Sequence, residues 1–394
     1  MVCAAVTLPT FAKDDKESTD TVGFQFTDIK VIPTTGVKDQ NKSGTCWCFS
    51  GTSFFEDEIL RQGGDSLHLS EMYTVRKCFD DKVKKYVRMY GGSHLAQGGA
   101  CPDVAYVMQT YGAIPFEVYT GLQYGEDKPV HGELNGMVKA IADVVVKNPN
   151  GKISTAWQKA LNGVFDAYFG EVPETFEYKG KTYTPQSYFQ SLGLNIDDYI
   201  PITSFTHQPF YKKFILEIPD NWLNGEYYNV PLDELKQIVD NAVENGFPIA
   251  WAADVSEKGF KWADGVALMP KAKTEADMTG TELSRWVTLS DADRAKAQYD
   301  FTGPVEEIVV TQDSRQEMYD SQLTTDDHGM EIIGYAKDQN GNRYYKVKNS
   351  WDNNQKYGGF IYVSEPYLLA KTIDIYVHKD AIPSAIAKKM KIKK

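Results

Sequence analysis

Two patterns of hydrophobic and polar positions divide this chain. In its first half, apolar residues recur at helical spacing. Residues 47–61 form one such run, stopped by Gly63-Gly64. In the next, Met72, Val75, Phe79, Val83, Tyr86 and Tyr90 share a face. Ser70 is its natural N-cap and Gly91-Gly92 its end. Pro102 opens a third helix over 103–111, ended by Gly112. Helices are also predicted over 138–146, 153–169, 232–244 and 313–322, with a small hairpin at 176–183 around Lys179-Gly180. Later the period shortens. A buried strand is predicted over 248–255, and further strands over 331–337, 343–348, 360–363 and 373–377. Asn340-Gly341 marks a hairpin between two of them. Helices first and strands later predict an α+β fold with an antiparallel sheet.

Candidate chemistry lies where these patterns change. Cys46 sits at the join between an extended segment and the first helix. A helix N-terminus offers unpaired N–H groups and a positive dipole end, and both favour thiolate, the nucleophilic form. Gln40, on the loop leading in, carries an amide able to donate to an oxyanion. A cysteine nucleophile needs a base and the base an orienter. His328 precedes the strand at 331–337 and Asn349 follows that at 343–348, so the hairpin brings both to one open end. Cys48, two residues from Cys46, faces away from it and reads as core, as does Cys78.

Gln40, Ser43-Gly44-Thr45-Cys46-Trp47, His328 and Asn349-Ser350-Trp351, in that order, resemble the papain-like cysteine peptidases. Gly44 to Trp47 matches the family signature, with Ser43 where secreted members keep a disulfide cysteine. His328 lies roughly 280 residues beyond Cys46, against about 130–150 in that signature, so the chain carries a large insertion. An undisulfided, insertion-bearing member resembles the bleomycin hydrolase (aminopeptidase C) branch. Tyr111-Gly112-Ala113-Ile114-Pro115 and Pro248 to Val255 agree with it. The resemblance implies a two-lobed fold. A helical lobe at 24–115 holds the nucleophile, a mostly helical insertion spans 116–231, and a β-rich lobe at 232–378 holds His328 and Asn349. A C-terminal arm follows at 379–394. It implies catalytic Cys46, His328, Asn349 and Gln40, resting as a thiolate–imidazolium pair. Gly98-Gly99 would pair with the substrate backbone, and Trp351 would shield the His328–Asn349 bond. Asp327 would modulate the imidazole, or else be a solvated loop carboxylate. The arm, ending at Lys394, would lie in the cleft and present its carboxylate to a substrate amine, although its lysines work against that. A ring-like hexamer is also implied.

Charge and cysteine usage narrow the field. The chain has 394 residues and 54 acidic against 42 basic side chains, a net charge of −12. That is a poor match for general nucleic-acid binding. Five cysteines without Cys-x-x-Cys spacing are neither a disulfide framework nor a zinc site, and no metal or cofactor is expected. No stretch is long and apolar enough to span a membrane. Residues 1–23 read as a signal remnant, with a small-residue cleavage site after Ala12, or as a disordered arm; the first reading points to export, to a periplasm or cell surface. The expected activity is peptide-bond hydrolysis through a thioester, most simply as an aminopeptidase. An endopeptidase and a non-catalytic peptide-binding protein on the same fold are the alternatives.

Overall fold

A computed structural model describes residues 23–394, so the expected signal remnant lies outside the described residues. The helical lobe is built on Cys46–Arg61, Glu71–Arg88 and Pro102–Tyr111, close to the expected bounds. Ser70 Oγ accepts from the Tyr73 N–H at 3.1 Å, capping the second of these. Cys48 and Cys78 are fully buried in this lobe, with Phe54, Phe55, Val75 and Val104 around them.

Segment 116–231 does not stand apart. Its helices Gly132–Lys147 and Ala156–Phe169 bury Leu134, Val138, Leu161 and Phe165 in the helical core. Its strands Tyr199–Thr203, Lys213–Ile215 and Glu226–Asn229 extend the sheet instead. The insertion thus thickens both lobes.

The sheet has eleven strands among the described residues. From one edge they run Lys213–Ile215, Glu226–Asn229, Tyr199–Thr203, Thr372–His378, Ile249–Ala253, His328–Lys337, Arg343–Lys348, Phe360–Ser364, Val266–Ala267 and Phe260–Lys261; Thr27–Val31 also pairs with His328–Lys337. Most pairings are antiparallel, but Tyr199–Thr203 with Glu226–Asn229 and Phe360–Ser364 with Val266–Ala267 are parallel. The central strand is buried from His328 to Gly334, which explains its nearly continuous apolar run. The nucleophile helix covers one side. On the other lies Leu232–Glu244, which buries Leu235, Ile238, Val239 and Val243. Each such side chain contributes about 1.5–3 kcal/mol by leaving water. His328 pairs with Ala253, and Ala253 with Thr372, so these three residues mark one end of the sheet. His378 marks the other.

The C-terminal segment starts at that far end. It forms the helix Ser384–Met390, whose Ile386, Ala387 and Met390 pack into the core shared with Leu235, Ile238 and Val239. Lys389 pairs with Glu234, and Lys394 Nζ donates to the Asp380 carbonyl at 3.3 Å. This corrects the expectation for Lys394. The amphipathic Ser384–Met390 turn buries its apolar face, and that holds Lys394 at the end of the sheet away from His328.

Candidate active site

Cys46 is the first residue of its helix and only partly buried. Thr45 makes no side-chain cap bond; the Cys48 N–H turns back to the Thr45 carbonyl at 2.9 Å, and the Trp47 N–H reaches the Cys46 sulfur. The sulfur also accepts from the Gly329 N–H, in the peptide that follows His328. Gly329 allows this approach. A Cβ there would lie 2.7 Å from Ser50 Oγ and 3.2 Å from Trp47 Cα. Nothing local in the sequence marks Gly329, a strand residue that touches a helix.

His328 is buried, and its Nε2 lies 2.7 Å from Asn349 Oδ1. With Nε2 bonded to an acceptor it carries the proton there, which leaves Nδ1 as the basic nitrogen. The Trp351 ring lies over the imidazole, centroids 4.5 Å apart, and is itself walled by Phe260 and Trp262. The hairpin closes where Asn340-Gly341 predicts, with Asp338 Oδ1 accepting from the N–H of Asn340 and of Asn342.

Gln40 is held from two sides. Its Oε1 accepts from Ser350 Oγ at 2.7 Å and its Nε2 donates to the Ser43 carbonyl at 2.8 Å. One N–H of Nε2 remains for a ligand. Backbone contacts from Gln40 N to Ser350 O and from Asp39 to Trp351 join this loop to the Asn349 segment. Deeper, Lys348 Nζ bridges Asp57 on the nucleophile helix and Glu331 on the central strand, at 3.0 and 3.1 Å. Glu331 also accepts from Ser53 Oγ at 2.7 Å. One lysine serves two carboxyls here, so burial and the Asp57 charge hold the Glu331 carboxyl well above its usual range.

Both reactive groups are pushed toward neutrality. Burial raises the Cys46 thiol to about 12, helped by the charges of Asp220 and Asp326, against the two N–H donors. Burial lowers His328 to about 4, against its bond to Asn349. Burial thus pulls both groups toward their neutral forms and opposes the expected thiolate–imidazolium pair, while the Trp47 and Gly329 N–H groups favour the thiolate.

The remaining expected residues divide. Gln97 fastens the Gly98-Gly99 segment beside Cys46: its Oε1 accepts from the Gly44 N–H at 2.8 Å and its carbonyl from Trp47 Nε1 at 3.0 Å. Gly99 packs against the Trp47 indole, and a Cβ on Gly98 would run into the Asp220 carboxylate. Asp327 is a correction. Its Oδ2 accepts from the N–H groups of Val255 and Ser256 at 3.0 and 2.9 Å, so it caps the end of a neighbouring strand and does not act on the imidazole. Asp326, one residue earlier, is the neighbour whose charge acts on the Cys46 thiol.

No described helix is long and apolar enough to cross a membrane. Glu56, His68 and Glu71 are the one group among the described residues whose donor atoms converge enough for a metal ion. Lys38 Nζ already fills that position, 2.6 Å from each glutamate.

Comparison with known proteins agrees with this geometry. The model of the papain family cysteine protease matches residues 24–148 and 264–371, which include Gln40, Cys46, His328 and Asn349. Aminopeptidase G of Lactobacillus delbrueckii subsp. lactis is 22% identical over 88% of this chain and 82% of its own. Aminopeptidase C of Listeria monocytogenes is 22% identical over 88% and 81%. Mouse bleomycin hydrolase is 20% identical over 90% and 83%. The crystal structure of PepW from Lactobacillus rhamnosis shares the fold, with a TM-score of 0.66 at 19% identity over 93% of this chain and 84% of that one. With more than half its length matched by the family model, and a cysteine, histidine and asparagine brought to one cleft, the chain belongs to the papain family of cysteine proteases.

Proposed function

We propose that this protein is a cysteine aminopeptidase that hydrolyses peptides bearing a free N-terminus. The observation that carries this is the Asp220 carboxylate, which occupies the space next to Gly98 on the segment that Gln97 fastens beside Cys46. A substrate chain running upstream along Gly98-Gly99 meets that side chain, whereas a substrate that ends there places its amine against a carboxylate. The names of the related aminopeptidases and bleomycin hydrolases support the same reading.

In the reaction, Nδ1 of His328 takes the Cys46 proton as the sulfur attacks the scissile carbonyl. The free Gln40 N–H and the Cys46 backbone N–H stabilise the oxyanion, each worth about 3–4 kcal/mol. The imidazolium then protonates the leaving amine, and the neutral ring activates water against the thioester. Asn349 keeps the ring in the tautomer that this sequence needs. Assembly into a ring rests on the resemblance alone, and light scattering in solution tests it. The activity is tested with an aminoacyl fluorogenic amide and its N-acetylated twin, on wild type and Cys46→Ala. Preference for the free amine, lost with Cys46, is the expected result. Equal cleavage of the twin identifies an endopeptidase, and no cleavage of any substrate by wild type leaves a peptide-binding role.

A further inference from the structure

We propose that Asp220 and Asp326 are the anchor for the substrate's α-ammonium group, so that specificity for free N-termini comes from an internal loop of the insertion and the loop before His328. This deepens the aminopeptidase reading and rests on it.

Asp220 and Asp326 both lie near enough to Cys46 to act on its thiol. Among the described residues no hydrogen-bond donor reaches the Asp220 carboxylate, and His94 Nε2 lies 3.6 Å from it. Asp326 accepts from the Asp220 backbone N–H, yet its Oδ2 is sealed from water without a partner. Asp374 is 1% exposed, its Oδ2 also unpartnered, and it feels the charges of Asp326 and Asp103. The charge of Lys82 lowers Asp103 and Asp220, but its Nζ donates to the carbonyls of Ala96 and Gly98 and makes no ion pair among the described residues. Burial raises all four carboxyls, and neighbouring aspartate charges add to it for Asp103, Asp326 and Asp374; Asp103 and Asp326 reach about 7. Such a group gains from an arriving positive charge.

The geometry selects the kind of cation. These carboxylate oxygens do not converge on one point as metal ligands would; among the described residues only Glu56, His68 and Glu71 do. An ammonium group brings three N–H donors of its own and suits carboxylates spread along a wall. The loop is also rigid. Asn221 closes it with bonds to Leu216 O, Gly225 O and Gly225 N at 2.7–3.0 Å. Trp222 Nε1 donates to Asp103 Oδ2 at 2.6 Å, and Lys85 donates to the Trp222 carbonyl. A rigid carboxylate is a better anchor because little entropy is lost on binding.

The test measures kcat/KM for three amides that differ only at the α position: amine, N-acetylamine and hydroxyl. Asp220→Asn and Asp326→Asn are each expected to lower the amine-over-hydroxyl ratio by about 10- to 100-fold, mostly through KM. Iodoacetamide labelling of Cys46 is expected to be faster in both, because a charge that holds the thiol protonated is gone; a variant that failed to fold would show labelling at the rate of a free thiol and no turnover, and Asp326→Asn and Asp220→Asn then serve as each other's replacement. Shortening the chain by residues 391–394 is expected to leave the ratio intact. If wild type prefers the amine and both aspartate variants keep that preference, or if the shortened chain loses it, the anchor is overturned while the aminopeptidase reading stands. If wild type shows no preference for the amine, both fall.

Discussion

Ser350 offers a sharp test of how the oxyanion donor is held. Gln40 is 6% exposed, and its Oε1 has one donor, the Ser350 hydroxyl at 2.7 Å. Ser350→Ala removes that donor and leaves a buried amide oxygen unmet, which costs about 1–3 kcal/mol. The Ser43 carbonyl still accepts from Nε2, so the amide stays partly oriented. About half of the cost, on the order of 1 kcal/mol, then falls on the transition state, roughly a fivefold loss in kcat. Gln40→Ala removes the donor outright and is expected to cost about 100- to 1,000-fold. Because Ser350 acts through Gln40, the double variant should be no slower than Gln40→Ala alone. Steady-state kinetics on an aminoacyl fluorogenic amide, with KM within about twofold throughout, read the cycle. A double variant slower by the product of the two single losses would refute the reasoning, because Ser350 would then act on something other than Gln40.

Three further outcomes follow from buried charge. Lys348→Met strands Asp57 beside Glu331 and is expected to lower unfolding free energy by about 3–5 kcal/mol in a urea titration, with Asp57→Asn recovering part of it; no change would mean the bridge is not formed. With the Cys46 thiol near 12 and His328 near 4, the rate of iodoacetamide labelling should rise about tenfold per pH unit from 6 to 9, whereas a rate flat from pH 5 to 8 would mean a resting ion pair. His131 is fully buried with both ring nitrogens unpartnered, and burial lowers it to about 4. The unfolded chain therefore binds a proton between pH 6.5 and 4 that the folded chain does not, so stability falls with falling pH by roughly 3 kcal/mol across that window. His131→Leu should flatten this slope in melts taken from pH 7 to 4, and an unchanged slope would assign it to other groups.

What could be read from the chain, and what could not, follows the range of the forces involved. Cys46–Arg61 and Leu232–Glu244 were legible because periodicity and helix stops are local. The approach of His328 to Asn349 was legible because one turn, Asn340-Gly341, sets it. Short strands such as Lys213–Ile215 and Glu226–Asn229 were not, since three or four residues carry too little pattern and exist by pairing with each other. Asp326 and Asp327 make the same point at the scale of one residue. Successive side chains in an extended segment point opposite ways, so one of the two had to face the cleft, but nothing local says which. The choice is made by the N–H groups of Val255 and Ser256, some seventy residues away, which capture Asp327 and leave Asp326 as the one whose charge acts on the thiol. Asp220 is harder still. It reaches Gly98 because Trp222 docks on Asp103 and the 216–225 loop then has one place to lie. A carboxylate that shapes the cleft is thus set by packing inside the insertion, the part of the chain where the family pattern is silent.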